Sequence, residues 1–175
     1  VLVAPNVLIP RPETEVLVSE AFAELKLPRV ADHVAAGENG EEVVSPELPE
    51  LRVVDLCTGS GCIACSIASE YPAAHVVALD IVPEALALAG KNVEVLGLGN
   101  RIEVLESDLL GALDPDKKGT FDLIVSNPPY VPTKVCDSLP REASGLGWRG
   151  GWSRFVQALS SRCPFILEAW WRLGG

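Results

Sequence analysis

Four short apolar runs recur between residues 51 and 126, and stretches with helical spacing separate them. Arg52-Val-Val-Asp-Leu56, His75-Val-Val-Ala-Leu-Asp80, Arg101-Ile-Glu-Val-Leu-Glu106 and Phe121-Asp-Leu-Ile-Val-Ser126 each predict a strand. A helix is expected over about 62–70. A second starts at Pro83 and runs to about Val93, because proline is tolerated in a first turn. Upstream, Glu13-Thr14-Glu15 opens a helical pattern through about Leu25, with Val16, Leu17, Phe22 and Leu25 as its apolar positions. Strands alternating with helices imply an α/β fold: a mostly parallel sheet with helices on both faces and right-handed crossovers.

The rest of the chain lacks this rhythm. Residues 28–50 mix glycines, prolines and acids without a period and read as a solvated loop or insertion. Residues 136–175 hold all four tryptophans and show no clear strand or helix pattern. The expected division is therefore residues 1–27 as an interdomain segment with its helix, 28–50 as a loop, 51–135 as the core, and 136–175 as an aberrant tail.

Composition narrows the classes. The 175 residues carry a net charge of −10, and 48% are hydrophobic, which suits one domain with a real core. Residues 1–135 hold 9 basic and 21 acidic residues, against 5 and 3 in the tail. So acidic a chain is not built to grip nucleic-acid phosphates, and direct nucleic-acid binding is not expected. No apolar stretch approaches a membrane span, so no membrane partner is expected either. The chain has no Met and starts at Val1, so it reads as a piece of something longer, and a monomer is expected. Five cysteines at irregular spacing are no disulfide framework and fit a reducing compartment, cytoplasm or mitochondrial matrix. Cys62 and Cys65 form a C-x-x-C, which reads mainly as two small residues on a buried helix. No second pair and no suitably spaced His33 or His75 completes a zinc site, so no metal is expected.

Chemistry concentrates at the ends of the predicted strands. After the first comes Thr58-Gly59-Ser60-Gly61, a turn that sets backbone N–H groups and a helix N-terminus beside the strand's carboxyl end. Gly59 and Gly61 let a ligand approach the backbone closely. Gly-x-Gly alone is equally a tight structural turn. Asp80 sharpens it: it lies 21 residues past Gly59, where an acid can hydrogen-bond ribose hydroxyls, although a strand-ending aspartate also serves as a cap ahead of Pro83. The third glycine of a dinucleotide fingerprint is missing, since Cys62-Ile63-Ala64 follows, which favours a ligand without pyrophosphate. Asp108 suits an adenine amino group with Leu109 packing on the ring, or else a helix N-cap. Asn127-Pro128-Pro129-Tyr130 follows the fourth strand directly. The two prolines fix the backbone and leave carbonyls free as acceptors, so the Asn127 and Pro128 carbonyls suit a planar –NH2 group and Tyr130 adds an aromatic face.

Asp55-Leu-Cys-Thr-Gly-Ser-Gly61, Asp80 and Asn127-Pro-Pro-Tyr130 together resemble class I S-adenosylmethionine-dependent methyltransferases, with their Rossmann-like sheet. Ile9-Pro-Arg-Pro-Glu-Thr-Glu15 narrows the resemblance to the HemK/PrmC family, which methylates the glutamine of the Gly-Gly-Gln motif in peptide chain release factors. The likeness covers residues 1–27 and 51–133. It implies S-adenosylmethionine as cofactor and a release factor as protein partner. By position, Cys57, Thr58, Gly59, Ser60 and Gly61 would wrap the methionine part, Asp80 the ribose, and Asp108 with Leu109 the adenine. Asn127 and Pro128 would accept hydrogen bonds from the substrate amide as the catalytic pair, with Pro129 and Tyr130 helping to enclose it. Cys57 stands where the family usually has Gly, a small residue for a small one. The competing readings are a nucleic-acid adenine or cytosine amino-methyltransferase, which also presents Asn-Pro-Pro-Tyr to an NH2 group, and an inactive nucleotide-binding fragment.

The tail departs from the family. From Glu142 onward it lacks both the Gly-Gly-x-Asp-Gly-Leu segment and the Lys-Pro-Gly-Gly turn that usually follow. Tryptophan has the single codon TGG, so reading one base later turns each of the four tryptophans into glycine, and both family segments can then be encoded, over Trp148 to Phe155 and Glu168 to Gly174. Residues 136–175 are thus expected to be read out of frame, with the sheet truncated after its fourth strand and that strand's edge left open.

Overall fold

The computed structural model describes residues 1–5, 7, 12–27, 35–36, 42–43, 48–114, 120–127 and 166–168. Helix α1 spans Pro12–Glu24, strands β1 Ala35–Ala36 and β2 Glu42–Val43, and strand β3 Leu51–Leu56. There follow α2 (Cys62–Glu70), β4 (Ala74–Asp80), α3 (Pro83–Val95), β5 (Ile102–Glu106), β6 (Leu123–Ser126) and β7 (Ile166–Glu168). Each predicted strand and helix is present, with ends displaced by two residues or fewer.

The larger sheet has the order β5-β4-β3-β6-β7, and every neighbouring pair is parallel. A parallel sheet is covered on both faces, which is why its strands are continuous apolar runs. Val53, Val54 and Leu56 of β3 and all four residues of β6 are buried. Alternate residues face opposite ways. Val53, Val76, Leu123 and Val125 join a cluster with Leu17, Phe22, Ile63, Ile67 and Val93, which brings α1, α2 and the end of α3 onto one face. Val54, Leu56, Leu79 and Ile124 join Leu110, Leu109, Leu113 and Phe121 on the other. Helices were expected on both faces. Among the described residues the second face is instead covered by the turns after β5 and by Phe121.

Two segments differ from expectation. Within the predicted loop 28–50, β1 and β2 form a two-residue antiparallel pair, Ala35 opposite Val43 and Ala36 opposite Glu42. The fourth strand's outer edge, expected to be open, carries β7, with Ile124 opposite Ile166 and Ser126 opposite Glu168. An unpaired strand edge is a template for further pairing, and the short apolar run at 166–167 is the β-prone piece of the tail that fills it.

The chain runs outward from β3 to β4 and β5, then returns to place β6 on β3's other side. The strand order therefore reverses between β3 and β6. In open α/β sheets ligands bind in the crevice outside the carboxyl ends at such a reversal. Leu56 pairs with Ser126 at that end, so Cys57–Gly61 and Asn127 leave the sheet side by side.

Candidate active site

The loop after β3 is held from three directions. Thr58 N–H donates to the Leu79 carbonyl at 2.9 Å, tying the loop to the end of β4. The Thr58 hydroxyl donates to Asp55 Oδ2 at 2.6 Å, and the Ala64 N–H donates to the same oxygen at 3.1 Å, so one buried carboxylate joins strand, loop and first turn of α2. Gly59 N–H donates to Asp80 Oδ2 at 2.8 Å. Gly61, at φ 77, is the N-cap of α2, and a Cβ there would stand 3.1 Å from the Ala89 Cβ of α3. Glycine is required at this point both by conformation and by the close approach of two helices.

Cys57 stands at φ 62, in the left-handed region that favours glycine. Its place in the loop is thus a conformational demand as well as one of size. Burial, then the negative charges of Asp80 and Asp55, push its thiol up to about 12, against a hydrogen bond with Ser126 that acts in the opposite direction. The protonated thiol is therefore the favoured form at Cys57. Burial likewise raises Cys62 and Cys65, the latter to about 11, and Cys65 is buried in the core. The C-x-x-C is therefore a pair of small residues on a packed helix.

Asp80, half-buried at the end of β4, does more than either sequence reading required. Its Oδ1 accepts from the N–H groups of Ile81 and Val82 at 2.9 and 3.0 Å, shaping the approach to Pro83 and α3. Its Oδ2 pins the glycine loop. Ser107 N–H donates to the Asp80 carbonyl at 2.8 Å, which fixes the next strand end beside it.

Asp108 is exposed and begins no regular helix. Its neighbour Ser107 spans the turn: Ser107 Oγ donates to the Leu109 carbonyl at 2.7 Å and accepts from Ala112 N–H at 3.0 Å. Leu109 is half-buried at φ 54, packed against the cluster that includes Val54 and Leu79. Asn127 is half-buried, directly after the fully buried Ser126, whose hydroxyl donates to the Leu56 carbonyl at 2.8 Å and locks β6 to β3 at their carboxyl ends. Pro128, Pro129 and Tyr130 lie outside the described residues.

Asp55 is a site residue to which sequence reasoning gave no role. Its Oδ1 is buried with no hydrogen-bond partner among the described residues. Burial raises its carboxyl to about 6, with the Asp80 charge adding to the rise and the Thr58 and Ala64 hydrogen bonds opposing it. The signal was present: an acid inside the otherwise apolar run Val-Val-Asp-Leu.

These residues fit a cationic cofactor that carries a ribose. An unpartnered buried carboxylate oxygen suits an ammonium group, Asp80 offers acceptors for hydroxyls, and open space lies where a Gly59 side chain would be.

Residues 38–158 match the methyltransferase small domain. The chain belongs to that family. Relatives of this methyltransferase domain include the release factor glutamine methyltransferase of Rhodopirellula baltica, 44% identical over 145 residues, covering 83% of this chain and 43% of that protein. The ribosomal protein uL3 glutamine methyltransferase of Neisseria gonorrhoeae is 48% identical over 91 residues, covering 52% of this chain and 29% of that protein. The chain thus spans less than half the length of these curated relatives. Their names bear out the resemblance to the HemK/PrmC family. Among solved structures, the N-terminal domain of human METTL16 in complex with SAH superposes with a TM-score of 0.58 at 19% identity, over 93% of this chain and 57% of that one. That likeness confirms the Rossmann-like methyltransferase fold.

Proposed function

We propose that this methyltransferase domain serves the transfer of a methyl group from S-adenosylmethionine to the side-chain amide nitrogen of a protein glutamine, in the Gly-Gly-Gln motif of a peptide chain release factor. The observation that carries the reading is the placement of Asn127, first residue of Asn-Pro-Pro-Tyr, beside the glycine loop that Asp80 pins from its other side, at the reversal of strand order.

The cofactor supplies an electrophilic methyl group on a sulfonium. Asp80 would hold its ribose, the Cys57–Gly61 backbone would cradle its methionine part, and Asp55 would face its ammonium group. Asp108 and Leu109 would border the adenine. The chain's remaining task concerns the acceptor. An amide nitrogen is a poor nucleophile because its lone pair is delocalised into the carbonyl. The Asn127 side-chain carbonyl and the Pro128 backbone carbonyl would accept its two N–H bonds and orient the lone pair toward the methyl group. Both acceptors strengthen as the nitrogen becomes positive, so they favour the transition state over the ground state. Holding nucleophile and methyl group in line supplies much of the remaining acceleration.

The relative named for ribosomal protein uL3 offers a second acceptor of the same chemistry. Incubating the protein with labelled S-adenosylmethionine and, separately, a release factor, uL3 and duplex DNA tests the reading. Label on the Gly-Gly-Gln glutamine alone is expected. Label on uL3 alone would reassign the substrate, and label on DNA would replace the reading with nucleic-acid amino-methylation.

A further inference from the structure

Asn92 lies in the next-to-last turn of α3, 1% exposed, and none of the chemistry above uses it. Its carboxamide is fully engaged. Oδ1 accepts from the Leu2 N–H, while Nδ2 donates to the Leu2 carbonyl at 3.2 Å and to the Ser60 carbonyl at 2.8 Å. One side chain therefore joins the N-terminal segment to the middle of the glycine loop.

The bond to Ser60 falls on a sensitive peptide group. The Ser60 carbonyl and the Gly61 N–H belong to one plane, set between residues 59 and 61, which both have positive φ. Asn92 holds the carbonyl side of that plane, and the Thr58 carbonyl holds the N–H side, accepting from Gly61 at 2.9 Å. Rotation of this peptide would redirect the loop's backbone groups. The other end of the bridge is a backbone contact as well: Leu2 is 40% exposed and is held through its own N–H and C=O rather than through its side chain. Apolar packing of Ala4 and Val7 against Ala85 and Leu88 seats the same segment along α3.

We propose that Asn92 is a positioning residue that couples the seating of residues 1–4 to the shape of the cofactor loop. Unseating Leu2 leaves the Asn92 carbonyl without its donor and frees the carboxamide to turn, so Ser60 loses its partner. Conversely, a ligand that fixes the Ser60–Gly61 peptide holds Asn92 in the orientation that receives Leu2. Coupling of this kind is reciprocal: the factor by which seating tightens ligand binding equals the factor by which the ligand favours seating.

The inference rests on the proposed cofactor reading, and its test separates the two. S-adenosylhomocysteine is titrated calorimetrically into the full chain, its Leu2→Pro variant and its Asn92→Asp variant. Amide exchange at Leu2 is followed by NMR with and without the ligand. Leu2→Pro removes the N–H donor and leaves the buried Asn92 Oδ1 unpaired, so its thermal midpoint should fall by a few degrees, while its affinity, read well below that midpoint, falls about fivefold. Asn92→Asp sets a carboxylate oxygen against the Ser60 carbonyl and should weaken binding further. In the parent, the ligand should slow Leu2 exchange by a factor similar to the affinity lost in Leu2→Pro. Affinities within twofold for Leu2→Pro, or Leu2 exchange indifferent to a ligand that binds, would assign Asn92 to stability alone and overturn the coupling. A parent chain that fails to bind the ligand would sink the cofactor reading and the coupling together.

Discussion

The point at which Asn127 leaves the sheet is set by its neighbour: Ser126 is fully buried and hydrogen-bonded to Leu56. Replacing Asn127 with Ala should lower methyl transfer about 10²–10³-fold, about 2.7–4 kcal/mol for one lost transition-state acceptor, while cofactor affinity stays within several-fold. Near-normal turnover in a steady-state assay would end the assignment. Asp80 has structural work beside its proposed ribose contact, because its carboxylate organises three backbone N–H groups. Asp80→Ala should weaken S-adenosylhomocysteine binding by about 1.5–3 kcal/mol. Asp80→Asn keeps an oxygen for the loop, so full recovery of affinity in that variant would reduce Asp80 to a structural cap. At Cys57 the left-handed backbone inverts an ordinary preference. Glycine in a helix or strand interior is less stable than alanine by roughly 0.5–1 kcal/mol. At φ 62, Cys57→Gly should instead be the more stable of the two by about 1 kcal/mol in urea denaturation. The usual order, alanine above glycine, would show that the loop relaxes away from this conformation.

Between elements, α2 and α3 approach closely at Gly61 and Ala89. A Gly61→Ala side chain would meet both the Cβ and the Cα of Ala89, at 3.1 and 3.2 Å, in a backbone conformation that already disfavours it. The variant should lose about 2 kcal/mol or more of stability and a large part of its cofactor affinity, since the N-terminus of α2 must shift. A thermal midpoint equal to the parent's would contradict that. The elements themselves were legible because each signal was local: apolar runs for β3 to β6, Pro83 for the start of α3, Gly-x-Gly for the turn into α2. The unforeseen features come from contacts distant in sequence. β7 forms because β6 offers an edge, although residues 166–168 lie some 40 positions further on. After β5, Ser107 bonds across the turn to Leu109 and Ala112, partners that depend on which side chain the turn directs inward. Asn92 gave no sequence signal, because its three partners sit 90 and 32 residues away.

Over the whole molecule, the buried acid at the centre of the sheet sets a pH dependence of its own. Asp55 holds its proton up to about 6 in the folded chain, against 3.8 for an ordinary aspartate. A group whose folded pKa is raised contributes stability below its unfolded pKa and loses it as pH rises through the folded value. The contribution of Asp55 therefore shrinks between about pH 4 and pH 7, by up to about 3 kcal/mol at 1.36 kcal/mol per unit. Asp55→Asn removes the titration, so the parent's stability relative to this variant should fall across that window in urea denaturation, and parallel curves would refute it. The same carboxylate links stability to ligand binding. If a cofactor ammonium meets the unpartnered Oδ1, binding draws on the ionised form, which is a minor species at pH 5 and the major one at pH 7. S-adenosylhomocysteine affinity should then rise about tenfold from pH 5 to pH 7 in the parent and stay nearly flat in Asp55→Asn. An equal rise in both proteins would place the ammonium elsewhere and leave Asp55 as the strut between Thr58 and Ala64.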